Sequence, residues 1–488
     1  MSQGMGLPSA REWPSYVAGE AWTGTEVVDV THPGDGSVVG RVHVPDAAAV
    51  DRALQAAWDA KASARATSAA TRSDALMHVS ARLAERLEEV AQSITAENGK
   101  PITWARAEAG RAVSTFRWAA EEARRFNGEF QRLDTEKATE RRAAIIRRFP
   151  YGPVLGISPF NFPINLVAHK VAPAIAVGAP VVVKPAPATP LGALLLGELL
   201  AETELPRGMF SVLPVDNDVA PTLVSDPRLP VISFTGSEPV GFAIKRQVAD
   251  KHVILELGGN AAAMVLDDYS SEEDLAWAAA RIAMYGTSQA GQTCVSVQRV
   301  FVEEGVADAF MPHLVKAVSE LASGDVWDPA TVVGPVISEQ AAERVMEWID
   351  EAVEAGASVL AGGSRSGTFI DATLLANVSP NTRIACEEVF GPVMSVQTIK
   401  GLDEGIQLVN DSRFGLQTGI FTHDIQRIFH AHRELEVGGV VVGDAPTFRA
   451  DQMPYGGIKA SGTGREGLRF AMQDYTFDKV LVLTDLDL

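Results

Sequence analysis

Short apolar runs alternate with longer segments of helical periodicity over residues 151–257. Near-continuous apolar strands separated by helices predict a parallel sheet that helices cover on both faces. A second α/β pattern runs from about 258 to 450, so the predicted fold class is α/β. The predicted strands are 154–157, 181–183, 209–213, 231–234, 300–302, 393–396 and 440–442, and the helices in the first pattern are 164–177, 191–203 and 219–225.

The first 150 residues have a different pattern. Short strands and turns are predicted between residues 16 and 50. Apolar residues then recur at intervals of three and four from Leu76 to Ile94, which predicts an amphipathic helix that stops at Gly99. A second helix is predicted from about 104 to 126.

Two further strands are predicted outside both α/β patterns. The run 143–149 is flanked by arginines, which is typical of an edge strand or of one that pairs with another subunit. The last apolar run, 479–483, has no later strand to pair with. It either closes a sheet within the chain or completes one across a subunit interface.

Size and composition narrow the class of protein. A chain of 488 residues suggests two or three domains, and 46% apolar with 21% charged residues is typical of a globular protein. A net charge of −20 argues against nucleic-acid binding, and two cysteines argue against a disulfide framework or a structural zinc site. Residues 1–15 lack a signal-peptide core, and the uncharged runs are too short to span a bilayer. We therefore expect a cytoplasmic protein without a membrane segment.

The segment Gly286–Cys294 contains one of the two cysteines. It is small, Gly-bearing and uncharged, so the backbone can approach a substrate closely and the sulfur of Cys294 has room around it. A packing role is the alternative for an isolated cysteine. Cys386, the other cysteine, lies beside Glu387, and packing is its default role.

Polar residues follow several predicted strands, and ligands of parallel α/β sheets bind beyond the carboxyl ends of the strands. Lys184 suits a ribose or phosphate oxygen, or it is a solvated strand end. Gly236 and Ser237 open a helix whose N-terminus suits a phosphate, although the turn lacks G-x-G-x-x-G spacing. Asn161 can donate an N–H to an oxyanion or serve as a turn residue. Glu256, inside an apolar strand, suits a general base or a buried ion pair.

Seven motifs follow one another along the chain. They are Pro159-Phe160-Asn161-Phe162-Pro163, Lys184-Pro185, Phe234-Thr235-Gly236-Ser237, Glu256-Leu257-Gly258-Gly259-Asn260, Gly291-Gln292-Thr293-Cys294, Glu387-Glu388-Val389-Phe390-Gly391-Pro392 and Pro454-Tyr455-Gly456-Gly457. Their order and spacing resemble those of the aldehyde dehydrogenase superfamily over essentially the whole chain.

The resemblance implies a three-part subunit. A Rossmann-like NAD(P)-binding domain would comprise 1–133 and 151–257, and an α/β catalytic domain would comprise 258–450. A small β oligomerisation element would comprise 134–150 and 470–488. The resemblance also implies a homodimer or homotetramer.

The implied reaction is oxidation of an aldehyde to its acid with NAD(P)+, without a metal. By the family pattern Cys294 attacks the aldehyde carbon, Asn161 and the Cys294 backbone N–H hold the oxyanion, and hydride passes to the nicotinamide. Glu256 then activates the water that hydrolyses the thioester. The residues that match family cofactor contacts are Lys184 at the adenosine ribose, Gly236 and Ser237 at the pyrophosphate, Glu388 and Phe390 at the nicotinamide and its ribose, and Ser158, Pro159, Phe160 and Leu257 around them.

One departure from the family pattern concerns the cofactor. NAD-preferring members often carry a glutamate three residues after the lysine, and Pro187 stands there in this chain. The loss of that carboxylate removes a contact to the ribose hydroxyls and a repulsion toward a 2′-phosphate. We therefore predict that NADP is accepted as a cofactor.

The segments 161–170 and 445–451 are similar to those of the branch that contains lactaldehyde, phosphonoacetaldehyde and some semialdehyde dehydrogenases. This similarity implies a small, polar or anionic aldehyde as substrate. His169, Arg117 and Arg449 are the candidates for binding an acid group. The alternatives are a core histidine and surface arginines.

Three other functions compete with this interpretation. A CoA-acylating member would pass the thioester to CoA, but Glu256 would hydrolyse that intermediate. A non-catalytic structural or binding protein on the same scaffold would leave the reactive residues without a role. A thiol hydrolase would leave the predicted nucleotide-site residues unexplained.

Overall fold

The computed structural model describes residues 11–485. Residues 1–10 and 486–488, which belong to the predicted cofactor domain and oligomerisation element, lie outside the described residues. Within the described part, two large sheets carry helices on their faces, and this α/β architecture confirms the predicted fold class.

The first large sheet has eight strands in the described part of the chain, and its five central strands are parallel. The central strands are almost entirely buried, because helices cover both faces. In spatial order the eight strands are Gly462–Thr463, His252–Glu256, Val231–Thr235, Val154–Ile157, Val181–Lys184, Phe210–Val212, Ser15–Val17 and Glu20–Trp22.

The second large sheet has seven strands over residues 11–485, and every neighbouring pair except the first is parallel. In spatial order they are Ser358–Ala361, Thr373–Ala376, Val393–Ile399, Arg299–Glu303, Ala262–Val265, Gln417–Phe421 and Gly439–Val442.

Helices connect and cover these strands. In chain order they are Ala47–Asp59, Lys61–Ala66, Ala69–Glu85, Leu87–Asn98, Ile102–Arg125, Asn165–Val177, Leu191–Ala201, Ala220–Ser225, Glu238–Gln247, Glu272–Thr287, Glu304–Ser319, Glu339–Glu354, Arg383–Cys386, Leu402–Asn410, Ile425–Glu434 and Leu468–Asp474. The helix predicted through 76–94 is two helices, because Arg86 leaves helical geometry at φ −104° and ψ 20°. The stop at Gly99 is confirmed, since Gly99 has the left-handed φ of 73° that favours glycine.

The last strand, Thr476–Thr484, pairs antiparallel with Arg142–Pro150 of the same chain, and Glu129–Arg132 pairs with the other edge. The intramolecular alternative is therefore the one observed. The predicted oligomerisation element begins at residue 134. The strand Glu129–Arg132 lies before that boundary but belongs to the same small sheet, because it pairs with Arg142–Pro150. The remaining sheet strands are Arg11–Trp13 with Val38–His43 and Val27–Thr31, Arg365–Ser366 with Phe369–Ile370, and Phe414–Gly415 with Ile458–Lys459.

The register of the first sheet aligns the carboxyl ends of its central strands. Ile157 lies opposite both Lys184 and Phe234, and Thr235 lies opposite Glu256. Residues far apart in the sequence thus form one row at the edge where ligands of such sheets bind.

Candidate active site

A cavity of about 420 Å³ opens at this edge, between the loops of the first sheet and those of the second α/β unit. It brings together most of the predicted site residues, whose positions in the sequence span almost 300 residues. Those that line it are Pro159, Phe160, Asn161, Gly236, Ser237, Glu256, Leu257, Cys294, Glu388, Phe390 and Arg449. Ser158 and Lys184 lie outside the lining, at the adjacent strand ends.

A strained turn precedes Cys294. Gln289 and Ala290 have left-handed φ values of 54° and 53°, and Gly291 follows with 69°. Such values are costly for residues other than glycine and persist where the surroundings impose them. A Cβ at Gly291 would lie 2.0 Å from the carbonyl oxygen of Gly391, so only glycine fits this close approach. The turn ends the helix Glu272–Thr287 abruptly and directs Cys294 into the cavity.

The thiol of Cys294 lies 2.9 Å from the hydroxyl oxygen of Tyr455. Burial raises the pKa of Cys294 to about 12, and the hydrogen bond with Tyr455 acts in the opposite direction. The carboxylates of Glu388 and Glu256 raise this pKa further, whereas Arg449 lowers it. Tyr455 and Arg449 thus favour ionisation of the sulfur, against burial and the two carboxylates.

Asn161 is held close to this turn. Its side-chain Nδ2 donates to the carbonyl oxygen of Gln292 over 2.9 Å, two residues before Cys294. Its own carbonyl oxygen accepts from Lys100 Nζ at 2.9 Å and from Gln289 Nε2 at 2.7 Å. These buried contacts join the Asn161 loop to the turn, so the amide has a fixed position beside the nucleophile loop.

The carboxylate of Glu256 ends its strand inside the cavity. Its Oε1 is buried and has no hydrogen-bond partner among residues 11–485. Burial first, and the neighbouring Glu466 second, raise the pKa of Glu256 well above 4.5. A carboxylate with a free, buried oxygen and a raised pKa suits a base that takes a proton from water.

A buried ionic network lies behind Glu256. Glu466 accepts from Arg449 Nη2 at 2.9 Å and from Lys170 Nζ at 3.2 Å, and Lys170 also donates to Thr235 Oγ1 at 2.6 Å. Burial opposes ionisation of Glu466, but Lys170 and Arg449 outweigh it and lower its pKa to about 2. Lys170 and Arg449 thus favour the ionised form of Glu466, whose negative charge contributes to the raised pKa of Glu256.

The residues predicted to contact a nucleotide form two groups. Lys184 is buried, and its Nζ donates to Asn217 Oδ1 at 2.9 Å. Burial lowers the pKa of Lys184 to about 8, while Asp216 acts in the opposite direction. Ser158 has a buried Oγ without a hydrogen-bond partner in the described part.

Glu388 and Phe390 belong to the second group. Oε1 of Glu388 accepts from the N–H of Gly259 at 3.0 Å, and burial raises the pKa of Glu388 to about 7. A Cβ at Gly258 would lie 2.2 Å from the other carboxylate oxygen, so glycine leaves the space that Glu388 occupies. The ring of Phe390 meets Phe160 edge-on, with centroids 5.8 Å apart.

Two predicted substrate residues, His169 and Arg117, lie outside the cavity lining. His169 is buried outside the cavity lining, with its Nε2 3.3 Å from Asp451 Oδ1. Arg117 is exposed and also absent from the lining, whereas Arg111 on the same helix lines it. Six residues turn a helix through about 240°, so Arg117 and Arg111 occupy different faces. Only the packing of the helix decides which of them meets the cavity.

The sequence interpretation missed several residues of this site. Besides Arg111, the lining includes Thr447, Tyr455 and Glu466, and Lys170 lies directly behind it. Tyr455 belongs to the motif Pro454-Tyr455-Gly456-Gly457, and Lys170 ends the segment 161–170. Nothing in either local pattern indicated which residues these side chains contact. Glu466 stood in no such motif.

The family model for the aldehyde dehydrogenase family matches residues 20–481. The chain belongs to the aldehyde dehydrogenase family. The predictions of an oxidoreductase and of an NAD(P)-dependent aldehyde dehydrogenase are thereby confirmed. Membership of this enzyme family argues against the alternative of a non-catalytic structural or binding protein.

The dehydrogenase is 39% identical to 3-sulfolactaldehyde dehydrogenase of Priestia aryabhattai, over 98% of this chain and 99% of that protein. Among solved structures, aldehyde dehydrogenase 21 of Physcomitrella patens in complex with the reaction product succinate has a TM-score of 0.96 at 41% identity, with 98% of this chain and 100% of that chain covered. The NADP-dependent glyceraldehyde-3-phosphate dehydrogenase of Bacillus halodurans, complexed with NADP, has a TM-score of 0.92 at 34% identity, with coverages of 97% and 100%.

Within 11–485 no helix has the length and apolar character needed to cross a membrane. The same residues contain no cluster of three or more His, Cys, Asp or Glu side chains that could hold a metal ion.

Proposed function

We propose that this dehydrogenase oxidises a small aldehyde that carries an anionic group. The observation that carries the proposal is the guanidinium of Arg449, which lines the same cavity as Cys294 and whose side chain is only 8% exposed. Its Nε is buried and has no hydrogen-bond partner among residues 11–485. Its Nη2 already donates to Glu466, so the remaining guanidinium donors are those left for a carboxylate or sulfonate.

Arg111 supports the same assignment. Its side chain lines the cavity, is 31% exposed and pairs with Asp451 Oδ1 at 2.9 Å. Arg111 and Arg449 are two of the three arginines that line the cavity, and their guanidiniums favour an anion over an apolar aldehyde. The relatives agree in chemistry, since sulfolactaldehyde and succinate are both anionic.

The described residues fit a dinucleotide cofactor. At the sheet edge, the Oγ of Ser158 has no hydrogen-bond partner among residues 11–485. The helix Glu238–Gln247 begins there without a side-chain cap, so its first N–H groups are available to a phosphate. Lys184 would hold the adenosine ribose, and Glu388 with Phe390 would hold the nicotinamide end. When bound, NAD(P)+ supplies the hydride acceptor.

The chain's own residues perform the remaining chemistry. Cys294, as thiolate, attacks the aldehyde carbon, and Asn161 Nδ2 with the Cys294 backbone N–H stabilises the oxyanion. After oxidation the acyl group is a thioester on Sγ. Glu256 takes a proton from water, the hydroxide attacks the thioester carbon, and the acid leaves with release of the Cys294 sulfur.

We also propose that NADP is accepted. Pro187 is exposed beyond the strand that carries Lys184, and it places no carboxylate there to repel a 2′-phosphate. The assay compares kcat/KM with NAD and NADP for the wild type and for Pro187→Glu. We expect Pro187→Glu to lower kcat/KM for NADP more than for NAD. Turnover of the wild type with NAD alone would contradict the proposal.

The small three-stranded sheet is proposed as the oligomerisation element. Val480, Leu481, Val482 and Phe130 on it are each more than half exposed, although apolar. Exposed apolar patches of this kind mark interaction surfaces. Sedimentation analysis should show a dimer or tetramer, and a monomer would contradict the proposal.

The function is tested by initial rates of nicotinamide reduction with a panel of aldehydes. The panel comprises succinic semialdehyde, sulfolactaldehyde, lactaldehyde, propanal and benzaldehyde, with Cys294→Ala as control. We expect Cys294-dependent turnover that is highest with the two anionic aldehydes. Turnover only with apolar aldehydes would refute the anion site, and a requirement for CoA would refute hydrolysis by Glu256.

A further inference from the structure

Tyr455 has a fixed position in the cavity. It is 5% exposed and packs against Val295 and Leu416. Its backbone N–H donates to the carbonyl oxygen of Glu466 at 3.0 Å, and its carbonyl oxygen accepts from the Glu466 N–H at 2.7 Å. The ring is therefore held by both packing and backbone hydrogen bonds.

The hydroxyl of Tyr455 faces the sulfur of Cys294 at 2.9 Å, well within the range of a hydrogen bond. A neutral thiol is a weak acceptor, whereas an O–H donor to an ionised acceptor makes a hydrogen bond about twice as strong as a neutral pair. The hydrogen bond from Tyr455 is therefore strongest when Cys294 is a thiolate.

Arg449 strengthens this donor. Its guanidinium lies 4.0 Å from the centroid of the Tyr455 ring, within the range of a cation–π interaction. A positive charge over the ring draws electron density from the phenol and makes its O–H a better donor. The carboxylates of Glu256 and Glu388 act against ionisation of the sulfur, so the hydroxyl and the guanidinium compensate for them.

We propose that Tyr455 is a catalytic residue that donates its O–H to the Cys294 thiolate and so increases the fraction of the nucleophile that is ionised. This role rests on the proposed function, in which Cys294 is the nucleophile. The thiol proton passes to bulk water and Tyr455 keeps its own proton, so no bond other than S–H breaks. Nothing is oxidised or reduced in this step.

The expected effect of the Tyr455 hydroxyl on the reaction rate of Cys294 is the balance of two opposing effects. A hydrogen bond to an ionised group changes an equilibrium by about ten- to a hundredfold, which is about one to two pH units. Stabilising a thiolate also lowers its intrinsic reactivity, by about threefold per pKa unit. The net gain in rate below the thiol pKa is therefore about three- to tenfold.

The test measures alkylation of Cys294 by iodoacetamide against pH, without cofactor or aldehyde. Cys386 is exposed, so all variants carry Cys386→Ser and the Cys294 peptide is followed by mass spectrometry. Tyr455→Phe keeps the ring, its packing and its contact with Arg449, but removes the hydroxyl. We expect alkylation at each pH below the midpoint to slow by about three- to tenfold, because the midpoint moves upward. Tyr16→Phe, at another buried tyrosine outside the cavity, should leave the midpoint unchanged.

A second variant covers the case in which Tyr455→Phe does not fold. A fluorinated tyrosine inserted at position 455 has nearly the same shape and a more acidic O–H, so the midpoint should fall. An unchanged midpoint in either folded variant overturns the role of Tyr455. Because alkylation needs no turnover, that result is distinct from failure of the proposed function, which would appear as activity that survives Cys294→Ala.

Discussion

Replacing Arg111 by glutamine separates recognition of an anionic substrate from the chemistry at Cys294. The guanidinium lines the cavity and pairs with Asp451, whereas the glutamine amide can still donate to that carboxylate. The substitution therefore removes a positive charge and one donor without leaving Asp451 unpaired. We expect the fold to be retained.

The expected loss in kcat/KM follows from the solvent exposure of the Arg111 side chain. A hydrogen bond to a charged group contributes about 1.5–3 kcal/mol. Arg111 is 31% exposed, so solvent screening places its contribution near the lower limit, about 1.5 kcal/mol. That free energy corresponds to about a tenfold loss in kcat/KM for an anionic aldehyde. An aldehyde without the charge makes no such contact, so its kcat/KM should change by less than about twofold.

The assay measures kcat/KM for succinic semialdehyde and for propanal in the wild type, Arg111→Gln and Arg117→Gln. Arg117 is the matched control, because it lies on the same helix, is exposed and does not line the cavity. Its replacement should change neither value.

Equal losses for both aldehydes in Arg111→Gln would indicate a structural effect and refute selective recognition. An unchanged kcat/KM for succinic semialdehyde would show that Arg111 does not contact the acid group. A loss in Arg117→Gln equal to that in Arg111→Gln would point to a long-range charge effect.

Two further predictions concern titration. The pKa of Glu256 is raised by burial and by Glu466, so its ionised fraction and the rate of thioester hydrolysis should increase as pH rises. Glu256→Gln should keep a burst of reduced cofactor but lower the steady rate about a hundredfold or more and flatten its pH profile, as measured by stopped flow; a steady rate like that of the wild type would contradict this. Burial opposes ionisation of Asp451, but His169 and Arg111 outweigh it and lower its pKa, so its stabilising contribution is present above about pH 3.9 and is lost as pH falls below it. Asp451→Asn should lower the free energy of unfolding at neutral pH and weaken its decline in acid, as followed by urea unfolding, and parallel curves would rule this out.

Much of the fold could be predicted from the sequence because its determinants are local. Apolar runs such as 154–157 and 231–234 report burial on both faces, and the observed strands agree with them within one residue. The amphipathic pattern through 76–94 predicted helical structure but not the break at Arg86. The apolar spacing continues from one helix into the next, because each helix buries its apolar side. Periodicity records which side is buried, and it is insensitive to a small change in helix direction.

The motifs likewise placed Cys294, Glu256 and Asn161 in one site, because each stands at a strand end or a glycine turn whose chemistry is visible locally. Their roles in turnover stay predictions until the variants above are measured. Arg117 lies outside the cavity lining and Arg111 within it, a difference that could not be predicted because the sequence does not say which face of a long helix meets a cavity.

The α/β class, the strand-end residues and the turn before Cys294 could be predicted, because short segments encode burial and backbone conformation. Tertiary structure alone decided that Tyr455 lies 2.9 Å from a sulfur 161 residues earlier in the chain, and that Lys170 meets Glu466. It also decided that Gly462–Thr463 pairs with the strand that carries Glu256. Contacts between such distant residues depend on strand order and helix packing, which no local pattern specifies.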